Sequence, residues 1–259
     1  MNIVLIGAGN LGWHLASHLA EADLTIRQIV SKTPEHARKL GQLVNASFTI
    51  NMEEIEPDAD FYIYAVPDDQ LPSVIKQNPV KTGIHCHTAG SLPIQLFENQ
   101  VENYGIFYPL QTFSKQKQIE FYNIPILLEA NNKKTLLALQ KLAAHLTNNT
   151  LLTTFQQRQA LHLAAVFACN FSNNLYAIAE QMMNKVNLSF DLLIPLIHET
   201  VEKAVQLHPL QAQTGPASRN DQKVIETHLT LLQHDERLQT LYRLFTDNIQ
   251  QMKNAANEH

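Results

Sequence analysis

Near the start of the chain, Gly7-Ala8-Gly9-Asn10-Leu11-Gly12 has the composition and spacing of a turn that binds a pyrophosphate. Gly7 would make the tight turn, Gly9 would let the backbone reach the phosphates, and Gly12 would let the following helix pack against the preceding strand. The N-terminus of that helix then offers its free N–H groups to the anion. Further along, where an acid would bind the bare ribose 2′-hydroxyl of NAD, there is no acid. The chain has Ser31-Lys32-Thr33 there, two hydroxyls and an ammonium, with Arg38 following in the next helix. Those groups suit a 2′-phosphate, so NADP is the expected cofactor. The plain alternative for Lys32 is a solvated loop lysine.

Such a turn works only between a strand and a helix. NIVLI precedes it, and Leu11, Leu15 and Leu19 follow at i, i+4, i+8. As far as about residue 152, short β-rich runs (NIVLIG, TIRQIVS, DFYIYAVP, GIHCHTA, YGIFYP, IPILLEA, TLLTTF) alternate with helical patterns. This alternation is the mark of a mostly parallel sheet. From Gln156 only long helical patterns remain, over 156–186, 189–207, 219–233 and 236–254. All but one of the eight glycines lie at or before Gly105. The expected fold is therefore α/β: an N-terminal Rossmann domain with a doubly wound, mostly parallel sheet over 1–152, then an all-α domain over 153–259. Ligands of open α/β sheets lie outside the carboxyl ends of the strands. Ala65, Val66 and Pro67 with Asp68, and Thr88 and Gly90 with Ala89, are thus expected to border the nicotinamide half of the cofactor.

On GAGNLG, SKT, AVPDDQL, HTAGSLP, YPLQTF, HLAAVFACN and TGPASRND, the chain resembles the oxidoreductase-like family that joins an NADP-binding Rossmann domain to a helical domain of unknown function. Members are often described as deazaflavin-dependent NADP oxidoreductase-like. More distantly the chain is similar to pyrroline-carboxylate reductases and β-hydroxyacid dehydrogenases, which place a helical domain after the nucleotide domain and often dimerise through it. The resemblance implies the cofactor and the architecture, not a reaction. Two positions depart from the family pattern: Tyr108 stands where His is frequent before Pro-Leu, and Asn220 where Gly is frequent.

Reduction of a carbonyl needs a proton donor near the developing alkoxide, whereas reduction of a preformed iminium carbon does not. His162 lies early in the first long helix after the nucleotide domain, the place from which the related dehydrogenases project an acid and an amide into the cleft. Asn173 falls about 20° and Asn170 about 80° from the His162 face at ~100° per residue. With an ordinary pKa near 6.5, a histidine can serve as the acid while an amide orients the substrate. The alternative is a core histidine with amides on a helix face. Arg219 suits a substrate carboxylate, with Asp221 beside it. Ser218 and Asp221 also have the spacing of a capping box that starts the next helix.

Composition narrows the rest. Hydrophobic residues make up 45% and charged residues 17% of 259, as in a soluble globular protein. Lys plus Arg number 19 against 24 acids, so no basic excess suggests nucleic acid. No apolar run reaches the ~18 residues of a membrane span. Cys86 and Cys169 have no paired spacing, which fits a reducing cytoplasm. His85 and His87 face away from Cys86 along their strand, and His14 and His18 lack a third ligand, so no metal is expected. Helices such as LLIPLIHETVEKAVQL carry more apolar positions than a small bundle buries, which points to a homodimer through the helical domain. The expected protein is a cytoplasmic NADP-dependent oxidoreductase acting on a small carbonyl or imine. The rival is a non-catalytic NADP(H)-binding redox sensor or scaffold.

Overall fold

The structure, a computed structural model, describes residues 1–257. The chain forms two compact units, Met1–Asn173 and the part from Asn174 onward.

The first unit is built on one sheet of eight strands: β1 (Asn2–Ile6), β2 (Thr25–Val30), β3 (Ser47–Thr49), β4 (Phe61–Tyr64), β5 (Ile84–His87), β6 (Asn103–Pro109), β7 (Ile126–Ala130) and β8 (Thr150–Leu152). Their order is β3-β2-β1-β4-β5-β6-β7-β8, so the winding reverses between β1 and β4. Neighbours run parallel except β6 and β7, which are antiparallel. The helices of this unit are α1 (Asn10–Glu21), α2 (Pro34–Leu43), α3 (Leu71–Gln77), α4 (Lys133–Ala143) and α5 (Phe155–Ala165). Two elements were not expected from the sequence. β3 spans only Ser47-Phe48-Thr49, too short for an alternation to register. α3 is a two-turn helix with a proline in its first turn.

The alternation of β1 sorts the core into two layers. Ile3 and Leu5 join Leu15, Leu19, Leu128 and Leu142 on the α1 and α4 face, while Val4 and Ile6 join Tyr62, Tyr64, Val74 and Phe97 on the α3 face. On β5 the same rule puts Cys86 in the first layer and turns His85 and His87 into the second. Both histidines are fully used. His85 accepts at Nδ1 from the Tyr64 hydroxyl (3.0 Å) and donates from Nε2 to the Thr82 carbonyl (3.0 Å). His87 accepts at Nδ1 from the Ala89 N–H (3.2 Å) and donates from Nε2 to the Pro93 carbonyl (3.3 Å). Each partner set fits a neutral ring protonated on Nε2.

The second unit is helical: α6 (Ser172–Lys185) runs into it, followed by α7 (Ile194–Leu207), α8 (Pro209–Ala212), α9 (Pro216–Arg219), α10 (Gln222–Leu231) and α11 (Glu236–Asn257). The stretch between α7 and α10, which reads as a break, holds two short helices that each open on a proline. Ser218 does not cap α10. It lies inside α9 and donates to the Gln213 carbonyl (3.3 Å), while Asp221 alone caps α10 through the Val224 N–H (3.3 Å). Asn220, at φ 54°, makes the left-handed turn between the two helices, a conformation that Asn tolerates better than most residues. Among the described residues no helix is long and apolar enough to cross a membrane.

Burial holds the pKa values of His85 and His87 down at about 4, well below the usual 6.5. The unfolded chain therefore binds more protons than the folded one between these values. Their stabilising contribution is complete above pH 6.5 and is lost as the pH falls toward 4. Each should cost about 2 kcal/mol at pH 5 relative to pH 7. Urea unfolding followed by circular dichroism should show the midpoint falling over that interval, and His87→Gln should flatten the pH dependence.

Candidate active site

At the carboxyl edge of the sheet the chain leaves β1 through the glycine turn. Gly7 has φ +114°, and a Cβ there would lie 2.1 Å from the Ala65 carbonyl oxygen. At Gly12 a Cβ would lie 2.1 Å from the Gly7 carbonyl oxygen. These two glycines are fixed by protein contacts. Gly9 differs, because a Cβ there would meet nothing within 4 Å. It borders open space at the N-cap of α1, where no side chain caps the helix and no acid stands in the first turn. This is a cradle that a side chain would fill, opposite unpaired N–H groups, and it fits a pyrophosphate. Asn10 is exposed at the first position of α1, while Leu11 turns inward onto the core.

A cavity of about 300 Å³ continues from the turn, lined by Gly7, Ala8, Gly9, Ser31, Lys32, Thr33, Ala65, Val66 and Pro67. The residues expected on the 2′-phosphate side and those after β4 therefore meet in one place, although the latter were expected beside the nicotinamide. Lys32 reaches across the mouth to Gln70, donating to Oε1 at 3.3 Å, and the Thr33 N–H points to Ser31 Oγ at 3.4 Å. His36 also lines the cavity, a residue the sequence did not single out, whereas Arg38 does not. The signal for His36 was its place in the first turn of α2, four residues after Lys32. A wider groove of about 1120 Å³ runs along α1 past His14, His18 and Glu21. It holds none of the residues that the sequence singled out for the cofactor; Trp13 and Lys115 line its wall.

The loop after β5 forms the other side. Thr88 is buried and its hydroxyl donates to the Tyr64 carbonyl (3.2 Å), so it ties β5 to β4. Ser91 donates to Asp68, joining the loops after β5 and β4. Gly90 lies under two side chains: a Cβ there would come within 2.8 Å of His162 Nδ1 and 2.9 Å of Tyr108 Cζ. Tyr108 Oη and His162 Nδ1 are hydrogen-bonded at 3.0 Å. Burial, and next the charge of Asp68, raise the Tyr108 pKa, so the phenol stays protonated at neutral pH. His162 comes from α5, whose start is fixed by a capping box between Thr154 and Gln157. One turn before it, the fully buried Arg158 pairs with Glu129 and donates to the Leu92 carbonyl (2.7 Å).

Beyond α5 the helix widens into a π-helical segment, Val166–Phe171, before α6. A π turn sweeps a smaller angle per residue, so the 100° phase that set Asn170 and Asn173 against His162 does not carry across it. Both asparagines are exposed. Arg219 is exposed at the end of α9 in the second unit. Among the described residues no three His, Cys, Asp or Glu side chains are grouped to hold a metal ion. His14 and His18 instead bond backbone carbonyls.

Residues 2–83 match the family described as NADP oxidoreductase, coenzyme F420-dependent, and residues 124–249 match a domain of unknown function, DUF2520. A candidate NADP oxidoreductase of Bacteroides fragilis is 42% identical, with 96% of this chain and 98% of that one covered and a TM-score of 0.91. The chain belongs to this NADP oxidoreductase family. A Thermotoga maritima protein shares its fold at 21% identity (97% and 99% covered, TM-score 0.81). So does an imine reductase of Myxococcus stipitatus in complex with NADP+, at 14% identity (100% and 95% covered, TM-score 0.65). A comparison with curated proteins found no match. NADP is the family's cofactor, and the cradle at Gly9 with the hydroxyls and ammonium of residues 31–33 fits it.

If Lys32 reads the 2′-phosphate in this NADP oxidoreductase, Lys32→Ala should lose about 1.5–3 kcal/mol of NADP binding, roughly tenfold to a hundredfold, while NAD binding stays unchanged. Fluorescence titration of both reduced nucleotides checks this, and equal affinities in the unmodified protein would defeat the assignment.

Proposed function

We propose that this NADP oxidoreductase reduces a small carbonyl or imine carbon, with His162 as proton donor and Tyr108 as the residue that positions it. The observation that carries the reading is the Tyr108–His162 pair seated on Gly90, in the loop that leaves the carboxyl end of β5. Bound NADPH supplies a hydride. The chain's own part is to hold the acceptor and move a proton. To act as the acid the His162 ring carries protons on both nitrogens: Nε2–H is given up to the developing alkoxide while Nδ1–H donates to the Tyr108 oxygen, which leaves a neutral imidazole.

The exposed amides of Asn170 and Asn173 are the proposed orienting groups for the substrate, and Arg219 is proposed to bind a carboxylate on it, with Asp221 fixing the start of the next helix. Residues 153–259 are proposed as the substrate and dimerisation domain of a cytoplasmic homodimer. Support for a second copy comes from α6 and α7, in which no residue is buried although Leu196, Val201 and Val205 are more than half exposed.

In an NADPH oxidation screen against 2-oxo acids, cyclic imines and deazaflavins, His162→Ala should lower turnover by about 10²–10⁴-fold on a carbonyl substrate and leave NADPH affinity unchanged. Tyr108→Phe should cost less, and Asn170→Ala should raise KM. Normal turnover by His162→Ala would place the acid elsewhere or mark an imine reduction. Light scattering at tens of micromolar should give the mass of a dimer; a monomer would refute the second-copy assignment.

A further inference from the structure

Between β6 and β7 the chain takes residues 110–125 back across α1. Two contacts fasten this strap near the helix start: His14 Nε2 bonds the Ser114 carbonyl (2.8 Å), and the His14 ring packs against Phe113 with centroids 5.7 Å apart. Farther along, Phe121 lies against His18 at 4.7 Å. Lys115 is thereby placed at the glycine turn. Its Nζ donates to the Ala8 carbonyl (2.9 Å) and lies 5.1 Å from the centroid of the Trp13 ring.

An ammonium in this place is unfavourable in the protein alone. It sits at the positive end of α1, in whose first turn no acid stands. Among the described residues the ion pairs are Arg27–Glu56, Lys39–Glu35 and Arg158–Glu129, and none involves Lys115. Burial, with a further push from the charge of Lys39, pulls its pKa below the ordinary lysine value, as expected of a cation lacking its counter-ion. A single carbonyl and an aromatic face hold it one peptide from Gly9, the position left open to the cofactor. Two of its three N–H donors remain for an anion.

We propose that Lys115 is a cofactor-binding residue that pairs with the pyrophosphate, so that the 110–125 strap clamps the nucleotide from the side opposite Lys32. This rests on the reading of Gly7–Gly12 as the phosphate turn. The two lysines would then divide the work, Lys115 binding the part common to NADP and NAD and Lys32 the part that distinguishes them.

Calorimetric titration with NADP+, ADP-ribose and 2′-AMP separates these roles without any turnover. Lys115→Met keeps the apolar stem against Trp13 and removes the charge. It should weaken NADP+ and ADP-ribose by about tenfold each and leave 2′-AMP unchanged, and Lys115→Arg should restore most of the loss. ADP-ribose binding by Lys115→Met at unmodified strength would overturn the proposal, as would an equal loss for 2′-AMP, which marks a deformed turn. If the unmodified protein binds no ADP-ribose, the phosphate-turn reading falls together with it, an outcome distinct from the other two.

Discussion

A single buried cation governs the geometry around Gly90. Arg158 is completely shielded from solvent, and taking a guanidinium out of water costs several kcal/mol unless its donors are met. Nη1 is met by the Glu129 carboxylate on β7 and Nη2 by the Leu92 carbonyl in the loop after β5, while Nε has no partner. The ring of Phe155 lies 5.5 Å from the guanidinium carbon on the same helix. α5 can dock only where carboxylate and carbonyl coincide, so the charge sets both the depth and the rotation of the helix. One turn later this delivers His162 onto Gly90. Without Glu129 the guanidinium would be stranded, at a typical cost of about 3–5 kcal/mol.

The loop that Arg158 grips is also held from beneath. His87 bonds both ends of Ala89–Pro93, and Ser91 ties it to Asp68. A buried imidazole kept neutral can donate and accept at once, which a carboxylate or an ammonium cannot. That is why burial, which drives the pKa of this histidine down, serves the site: the tautomer that staples the loop is the form that burial favours. The pair of Tyr108 and His162 therefore rests on a backbone fixed from two sides, whereas the phosphate turn is built by omission, from positions where a Cβ cannot fit or must not intrude.

The sequence alone determined the phosphate turn, α1, the alternation of strands and helices and the hydroxyl and ammonium groups after β2, because each depends on neighbours in the chain. Gly9 and Gly12 do their work within a dozen residues of β1, and period and spacing report such things directly, whereas the close approach of Ala65 to Gly7 is a tertiary contact. Tertiary structure decided the rest. Arg158 reads as one charged residue in a polar helical stretch until Glu129 and Leu92 meet it, and Tyr108 reads as a departure from a family pattern until His162 arrives beside it. The π-helical segment after α5 breaks the regular helical phase that any face assignment assumes, so where Asn170 and Asn173 point could not be counted off. Lys115 stands in a loop without periodicity, and its meaning comes from being carried back to Ala8, a residue over a hundred positions earlier. Contacts between residues far apart in sequence leave no local pattern, because they are selected by the three-dimensional balance of desolvation and pairing.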